Sequence, residues 1–208
     1  MNGQMLVEQI RERKGTELER LSSDKALLAA TRADLTAETI LETVTLQVDG
    51  LQTTLAPWAE ETDGGEAATA FAETAESLDG EYDRVLANLD ADPAGEPPVP
   101  IPTVGSFDQP VERVAAGFVG HGLVFDGVLL QAVSFFVNEA DERRADLVRD
   151  LRSSANSRVD EGAVLLDSLC AEDDWDRAEE AATDVVEAAY RDYAETLGEL
   201  GIDPKPVC

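Results

Sequence analysis

The sequence predicts an all-α protein, and three observations carry this prediction. Apolar residues recur at intervals of three and four through most of the 208 residues, which is the period of a helix. No stretch alternates apolar and polar residues over the length of a β-strand. Six of the nine prolines lie between Ala91 and Pro110, and a helix interior does not tolerate a residue that lacks the N–H. We therefore expect two groups of helices separated by a proline-rich linker.

Five segments carry the apolar stripe of a helix. They span residues 41–58, 71–89, 111–137, 148–169 and 175–197. Thr36 stands where an N-cap of the first helix is expected, because its hydroxyl can accept a hydrogen bond from a free N–H of the first turn. Asp63, Gly64 and Gly65 predict a tight turn that folds the second helix back against the first.

The third segment, residues 111–137, is apolar on nearly every face and is long enough to span a membrane. It contains Asp126 and four glycines, and its neighbours in the sequence are strongly charged amphipathic helices. A helix that is apolar all round also fits the centre of a bundle. We therefore predict that it is a buried core helix and not a membrane span.

The linker, residues 91–110, constrains the topology. A helix of about 25 residues is roughly 38 Å long, and about twenty extended residues can cover that distance. The linker can thus return the chain to the other end of the bundle. Two helical hairpins joined by one long crossover are the ferritin-like four-helix arrangement. An up-down bundle with a long loop is the alternative that the periodicity leaves open.

The first 32 residues differ from the others in charge. They carry six basic and five acidic side chains, a net charge of +1, so residues 33–208 carry −29. We predict an N-terminal helical segment over residues 1–32 and a bundle over residues 33–208, whose additional C-terminal helix spans 174–200. The N-terminal segment either docks on the acidic bundle or forms a detachable arm that meets a partner or a second copy.

The acidic composition excludes several function classes. The net charge is −28, with three lysines against thirteen arginines, and this disfavours binding to nucleic acid phosphates or anionic membranes. The 43% of apolar residues excludes a disordered acidic tail. This composition is typical of a halophilic cytoplasmic protein, because at molar salt the Debye length falls to about 3 Å and self-repulsion is screened.

A ferritin-like bundle raises the question of a metal site. A di-iron site takes carboxylates from two helices and a Glu-x-x-His motif from each of the other two, but His121 is the only histidine. Four carboxylates on four predicted helices remain as candidate ligands for iron, manganese or another hard cation: Glu42, Glu76, Asp126 and Asp150. We expect most acids of this chain to form a solvated surface instead. The sequence predicts no catalytic residue and no organic cofactor.

Two polar residues interrupt the apolar third helix. Asp126 is expected to pair with an arginine, either Arg113 or Arg84, because an unpaired carboxylate is costly there. His121 lies on one stripe with Phe118 and is predicted to be a satisfied core histidine. A general base or a metal ligand is the alternative role for this histidine.

The two cysteines, Cys170 and Cys208, are too few for a disulfide framework and lack zinc-site spacing. We predict that both are free thiols. Cys170 precedes an acidic run, Glu172 to Asp174, and neighbouring negative charge raises the pKa of a thiol.

Several stretches resemble haloarchaeal proteins of the rubrerythrin or ferritin-like superfamily, some of which are labelled transcription antitermination protein. The stretches are residues 22–27 (SSDKAL), 58–61 (WAEE), 174–176 (DWD), 193–197 (YAETL) and 201–208 (GIDPKPVC). The resemblance implies a ferritin-like bundle in a cytoplasmic protein. No metal ligand carries over, because the histidines of the metal-binding members are absent. The sequence shows no basic surface and no aromatic platform for RNA.

These observations favour a non-enzymatic bundle that acts through protein contacts, with residues 1–32 as the expected contact surface. A regulatory, transcription-linked role is implied by the resemblance alone. The alternative is a metal-binding oxidoreductase or metal-storage protein with a carboxylate-rich site. Nucleic acid binding ranks last because of the negative charge.

Overall fold

The computed structural model describes residues 1–204, and all regular structure in this range is helical. Cys208 lies outside the described residues. The predicted all-α class is therefore confirmed. The helices are α1 (Gly3–Arg13), α2 (Gly15–Leu21), α3 (Lys25–Ala30), α4 (Ala37–Glu61), α5 (Gly65–Leu86), α6 (Pro100–Val104), α7 (Pro110–Asn138), α8 (Glu142–Leu169) and α9 (Asp174–Glu199).

Helices α4 and α5 form the first antiparallel hairpin. Thr36 caps α4 as predicted, since its hydroxyl accepts a hydrogen bond from the Thr39 N–H at 3.2 Å. Gly64 and Gly65 form the predicted turn with φ of 70° and 81°, a left-handed conformation that favours glycine. Helices α7 and α8 form the second hairpin, where the Asp141 side chain caps α8 by accepting from the Arg144 N–H at 3.0 Å.

The two hairpins pack side by side, and α4 runs antiparallel to α7. The guanidinium of Arg113, near the start of α7, lies 4.9 Å from the ring centroid of Trp58, near the end of α4. Further along α7, His121 contacts Gln47, which lies earlier in α4. The order of contacts along the two helices is thus reversed.

Helices α5 and α8 are also antiparallel. Arg84, near the end of α5, pairs with Asp150 near the start of α8 at 3.5 Å. One turn earlier in α5, Glu81 pairs with Arg158, two turns later in α8. Because α4 is antiparallel to both α5 and α7, α5 and α7 are parallel, and residues 87–109 return the chain along the bundle.

The returning linker is not simply extended. Its prolines begin a short helix, α6, whose Ile101 and Val104 are buried. Gly50 of α4 allows α6 to approach closely, since a Cβ at this position would lie 3.0 Å from the Ile101 side chain. The linker is therefore packed against the hairpin that it leaves.

Helix α7 is the centre of the molecule. The segment Ala115–Gly120 is π-helical and fully buried, and α9 packs against it. Gly120 permits this contact, because a Cβ there would lie 2.7 Å from the backbone oxygen of Ala182 in α9. Helix α7 is long and apolar enough to cross a membrane, yet 67% of its most apolar stretch is buried inside the protein. This burial favours the predicted core helix.

Residues 1–32 form three short helices that dock on the bundle. Leu6, Val7 and Ile10 are buried and join the main core. The guanidinium of Arg13 pairs with the carboxylate of Glu179 in α9. The sequence left open whether residues 1–32 dock on the bundle or form a detachable arm, and in the structure they are docked.

Candidate functional site

The four candidate metal ligands lie apart in the fold. Glu76 and Asp150 are exposed, and Asp150 pairs with Arg84. Glu42 lines a cavity on the other side of the bundle. Within residues 1–204, no group of three His, Cys, Asp or Glu side chains is placed to hold a metal ion. The structure thus does not bring these carboxylates together.

Asp126 has a different partner from the two expected. Its Oδ1 accepts hydrogen bonds from Arg152 Nε and Asn156 Nδ2, both at 2.7 Å, and its Oδ2 accepts from Arg152 Nη2 at 3.3 Å. The prediction of Arg113 or Arg84 was wrong. The observed partners, Arg152 and Asn156, lie on α8, which packs beside α7. Arg113 instead pairs with Glu61, and Arg84 pairs with Asp150. The carboxylate is three-quarters buried, so the fork of Arg152 compensates its charge.

The centre of the bundle contains a polar cluster of which the sequence singled out only His121. Each of the four bundle helices contributes one buried amide or ionisable side chain to it: Gln47 from α4, Glu81 from α5, His121 from α7 and Arg158 from α8. They form two hydrogen-bonded pairs, Gln47 with His121 and Glu81 with Arg158. We call these four residues the central cluster.

His121 is a core histidine, as predicted, but it is only half satisfied. Its Nε2 lies 3.2 Å from Gln47 Oε1, while its Nδ1 has no hydrogen-bond partner within the described residues. Its ring packs against Phe125 with the ring centroids 5.4 Å apart. Burial and the positive charge of Arg158 lower the pKa of His121 to about 3. The imidazole is therefore neutral at physiological pH and is a poor proton acceptor.

Glu81 and Arg158 form a buried ion pair. Arg158 Nη1 donates a hydrogen bond to Glu81 Oε1 at 2.9 Å. In residues 1–204, Glu81 Oε2 and two of the guanidinium nitrogens, Nε and Nη2, have no partner. Buried polar atoms without partners are costly, so the cluster is a place of local destabilisation inside an otherwise apolar core.

The positive charge of Arg158 decides what the central cluster can do. Glu81 and His121 are its only side chains of a metal-ligand type, and a cation placed between them would meet the guanidinium. Arg158 instead supplies the compensating charge for Glu81 from within the chain. The sequence does contain a sign of these buried positions. Gln47, Glu81 and Arg158 each follow a buried apolar residue by three positions, so each lies on the apolar stripe of its helix. A polar residue on an apolar stripe could have been noticed there.

A groove of about 780 Å³ opens on the bundle surface between α5 and α8. Its apolar strip consists of the half-buried Ala70 and the buried Phe118 and Leu165, and Val164 beside them is 67% exposed. Exposed carboxylates surround this apolar strip, namely Glu66, Glu73, Asp160 and Glu161. We call this feature the α5–α8 groove.

Cys170, at the end of α8, is a free thiol, as predicted. Burial, and then the charges of Asp174 and Asp167, raise its pKa to about 11. The acidic run was expected to raise this pKa, and the pKa is raised, although burial is the larger cause. The thiolate that a nucleophile or a metal ligand requires is therefore scarce at neutral pH.

The chain matches no protein-family model, no curated protein and no solved structure. Its function is therefore inferred from the contacts of its own residues.

Proposed function

We propose that this protein is a ferritin-like helical bundle that acts through contact with another protein and has a regulatory role. The α5–α8 groove receives a basic segment of that partner. The central cluster takes the place that a metal centre has in other bundles of this topology.

Two features support the ferritin-like assignment. The hairpins α4–α5 and α7–α8 are joined by a linker that runs back along the bundle, which is the connection of ferritin-like folds. One polar side chain from each bundle helix points into the centre, as the ligands of a di-metal site do. Here those side chains pair with one another, and one of them is the cation Arg158.

The single observation that carries the functional proposal is the α5–α8 groove. Val164 is the most exposed large apolar residue of the described chain. It lines the groove together with the half-buried Ala70 and the buried Phe118 and Leu165. Exposed apolar surface with a polar rim marks sites of protein interaction. Its position between two hairpins also resembles the grooves that receive amphipathic helices.

Charge complementarity identifies the type of partner. The four rim carboxylates, Glu66, Glu73, Asp160 and Glu161, lie around the groove, and its one basic residue, Arg158, is paired with Glu81. A partner segment with an apolar face can pack on the apolar strip, while Lys or Arg at the edges of that face pair with the rim carboxylates. A second copy of this chain, with its net charge of −28, fits less well.

Site-specific photocrosslinking in a halophilic host tests this proposal. A benzophenone amino acid replaces Val164 in the groove in one variant and Val137 in the other, since Val137 is another exposed valine, at 50%, near the end of α7. We expect a discrete crosslinked protein only from position 164. The charge reversals Glu73→Lys and Asp160→Lys should abolish that product. Equal crosslinking at both positions, or crosslinking that resists charge reversal, would contradict the proposal.

Elemental analysis of the untagged protein, purified in molar potassium chloride, tests the assignment of the central cluster. We expect no stoichiometric iron or manganese, because Arg158 already compensates Glu81. Stoichiometric metal that disappears in a Glu81→Gln variant would overturn this assignment and restore the metal-binding alternative.

A further inference from the structure

A second cavity lies on the opposite side of α4 from the α5–α8 groove. Its volume is about 380 Å³, within the range of small-molecule sites. It is lined mainly by residues of α3, α4, α7, α9 and the linker. Much of its wall is apolar, including Ala29, Leu46, Pro97, Val124, Val128 and Ala189.

Gln47 of the central cluster lines this cavity. Its side chain is almost completely enclosed, since the residue is only 4% exposed. Its Oε1 is bonded to His121, but its amide nitrogen makes no hydrogen bond within residues 1–204. This nitrogen is not one of the buried polar atoms that lack a partner, so it is accessible from the cavity. Its N–H can therefore donate to a ligand there.

Three carboxylates line the same cavity without a hydrogen bond or an ion pair in the described chain. Asp192 comes from α9, Glu42 from α4 and the exposed Glu96 from the linker. Burial is the main cause of a raised pKa at Asp192, and Glu195 and Glu199 add to it, whereas Arg32 opposes it. Arg32 itself is exposed and pairs with Glu199 at 3.2 Å. Asp192 is thus a partly desolvated carboxylate. Arg32 also lines the cavity and attracts Asp192, but it forms its ion pair with Glu199 and not with Asp192.

We propose that this cavity binds a small organic cation, namely a primary amine on a compact apolar body that carries a hydrogen-bond acceptor at its far end. The ammonium group pairs with Asp192 and is also attracted by Glu42, while the acceptor receives the free N–H of Gln47. The apolar body fills the space between Leu46 and Val128.

Tyramine is a suitable probe because it combines a primary amine, an aromatic ring and a phenol oxygen that can accept a hydrogen bond. Two compounds of similar shape serve as comparisons. 4-Ethylphenol lacks the amine, and 3-(4-hydroxyphenyl)propanoate carries a negative charge instead. Binding of each to the full chain is measured by isothermal titration calorimetry in molar potassium chloride.

The matched variants are Asp192→Asn and Asp184→Asn. Both aspartates lie on α9 and both have a pKa raised mainly by burial, but Asp184 does not line the cavity. We expect tyramine to bind at least about tenfold more tightly than 4-ethylphenol, an advantage of ~1.4 kcal/mol. Asp192→Asn should abolish this advantage, and Asp184→Asn should retain it. If Asp192→Asn fails to fold by circular dichroism, Glu42→Gln takes its place and should weaken tyramine binding.

Several results would overturn the proposal. They are the absence of tyramine binding at millimolar concentration, tighter binding of the anionic compound, and equal effects of the two aspartate variants. Displacement of tyramine by micromolar Mn²⁺, in a manner that requires Asp192, would identify an inorganic cation as the ligand and would also overturn it. None of these results bears on the α5–α8 groove.

Discussion

Arg158 donates a hydrogen bond to Glu81 over 2.9 Å in the centre of the bundle, where the two side chains are only 6% and 3% exposed. The residues lie 77 positions apart and join the two hairpins. Removing two charges from water costs more than their attraction returns unless the geometry is excellent. This pair leaves several of its polar atoms without partners. We therefore attribute to it a role in orienting the two hairpins and not a net contribution to the free energy of unfolding.

The energetic role of this pair leads to a double-variant prediction. Glu81→Gln leaves the Arg158 charge without compensation and should lower the free energy of unfolding by about 3–5 kcal/mol. Glu81→Leu combined with Arg158→Met removes both charges and should be neutral or stabilising. Chemical denaturation in molar salt measures both. The surface pair of Arg84 and Asp150 is the control, and Arg84→Met should change the stability by less than about 1 kcal/mol.

The stability of the protein should depend on pH through His121. Its folded-state pKa is about 3, against 6.5 when unfolded, so between these values only the unfolded state gains the proton. Stability should therefore fall as the pH drops from 6.5 towards 3, by up to about 1.4 kcal/mol per pH unit. Carboxylates also titrate in this range, so the quantity to measure is the difference from His121→Gln. Parallel curves for the two proteins would contradict a neutral buried imidazole.

Two glycines should respond in opposite directions to substitution by alanine. A Cβ at Gly120 would lie 2.7 Å from the Ala182 backbone oxygen, so Gly120→Ala should push α9 away from α7 and cost about 1–3 kcal/mol. Gly80 lies in the last third of α5, and a Cβ added there would meet no neighbouring side chain or helix within 4 Å. Gly80→Ala should stabilise the protein by about 0.5–1 kcal/mol. Thermal unfolding followed by circular dichroism distinguishes the two.

The docking of residues 1–32 can be tested with two neighbouring residues. Leu6 is fully buried in the main core, while Met5 is 53% exposed. Leu6→Ala should cost about 2–5 kcal/mol, and Met5→Ala should remain within about 0.5 kcal/mol of the parent. Equal stabilities would indicate that the segment is detached from the bundle in solution.

The positions of the long helices could be predicted because their signals are local. The apolar stripes, the Thr36 cap and the Gly64–Gly65 turn act over a few residues, and the structure has all three where they were expected. The linker was placed correctly for the same reason, since proline acts on its own backbone. Its short helix α6 was missed, because five residues carry too little periodicity to be recognised.

The candidate site was predicted poorly, since its residues are brought together only by packing. Asp126 was expected to pair with an arginine, and it does, but the choice of Arg152 depends on the register of α7 against α8. The Glu81–Arg158 pair requires the register of α5 against α8 as well.

The sequence by itself determined the helices, the hairpin turns and the excess of negative charge, because helical period, capping and turn formation are properties of neighbouring residues. Only the tertiary structure decided which polar side chains meet in the centre, which acids remain in solvent and where cavities open. Those outcomes depend on helix rotation and register, which are set by the summed packing of residues far apart in the chain. The cavity beside Gln47 and Asp192 is of this second kind.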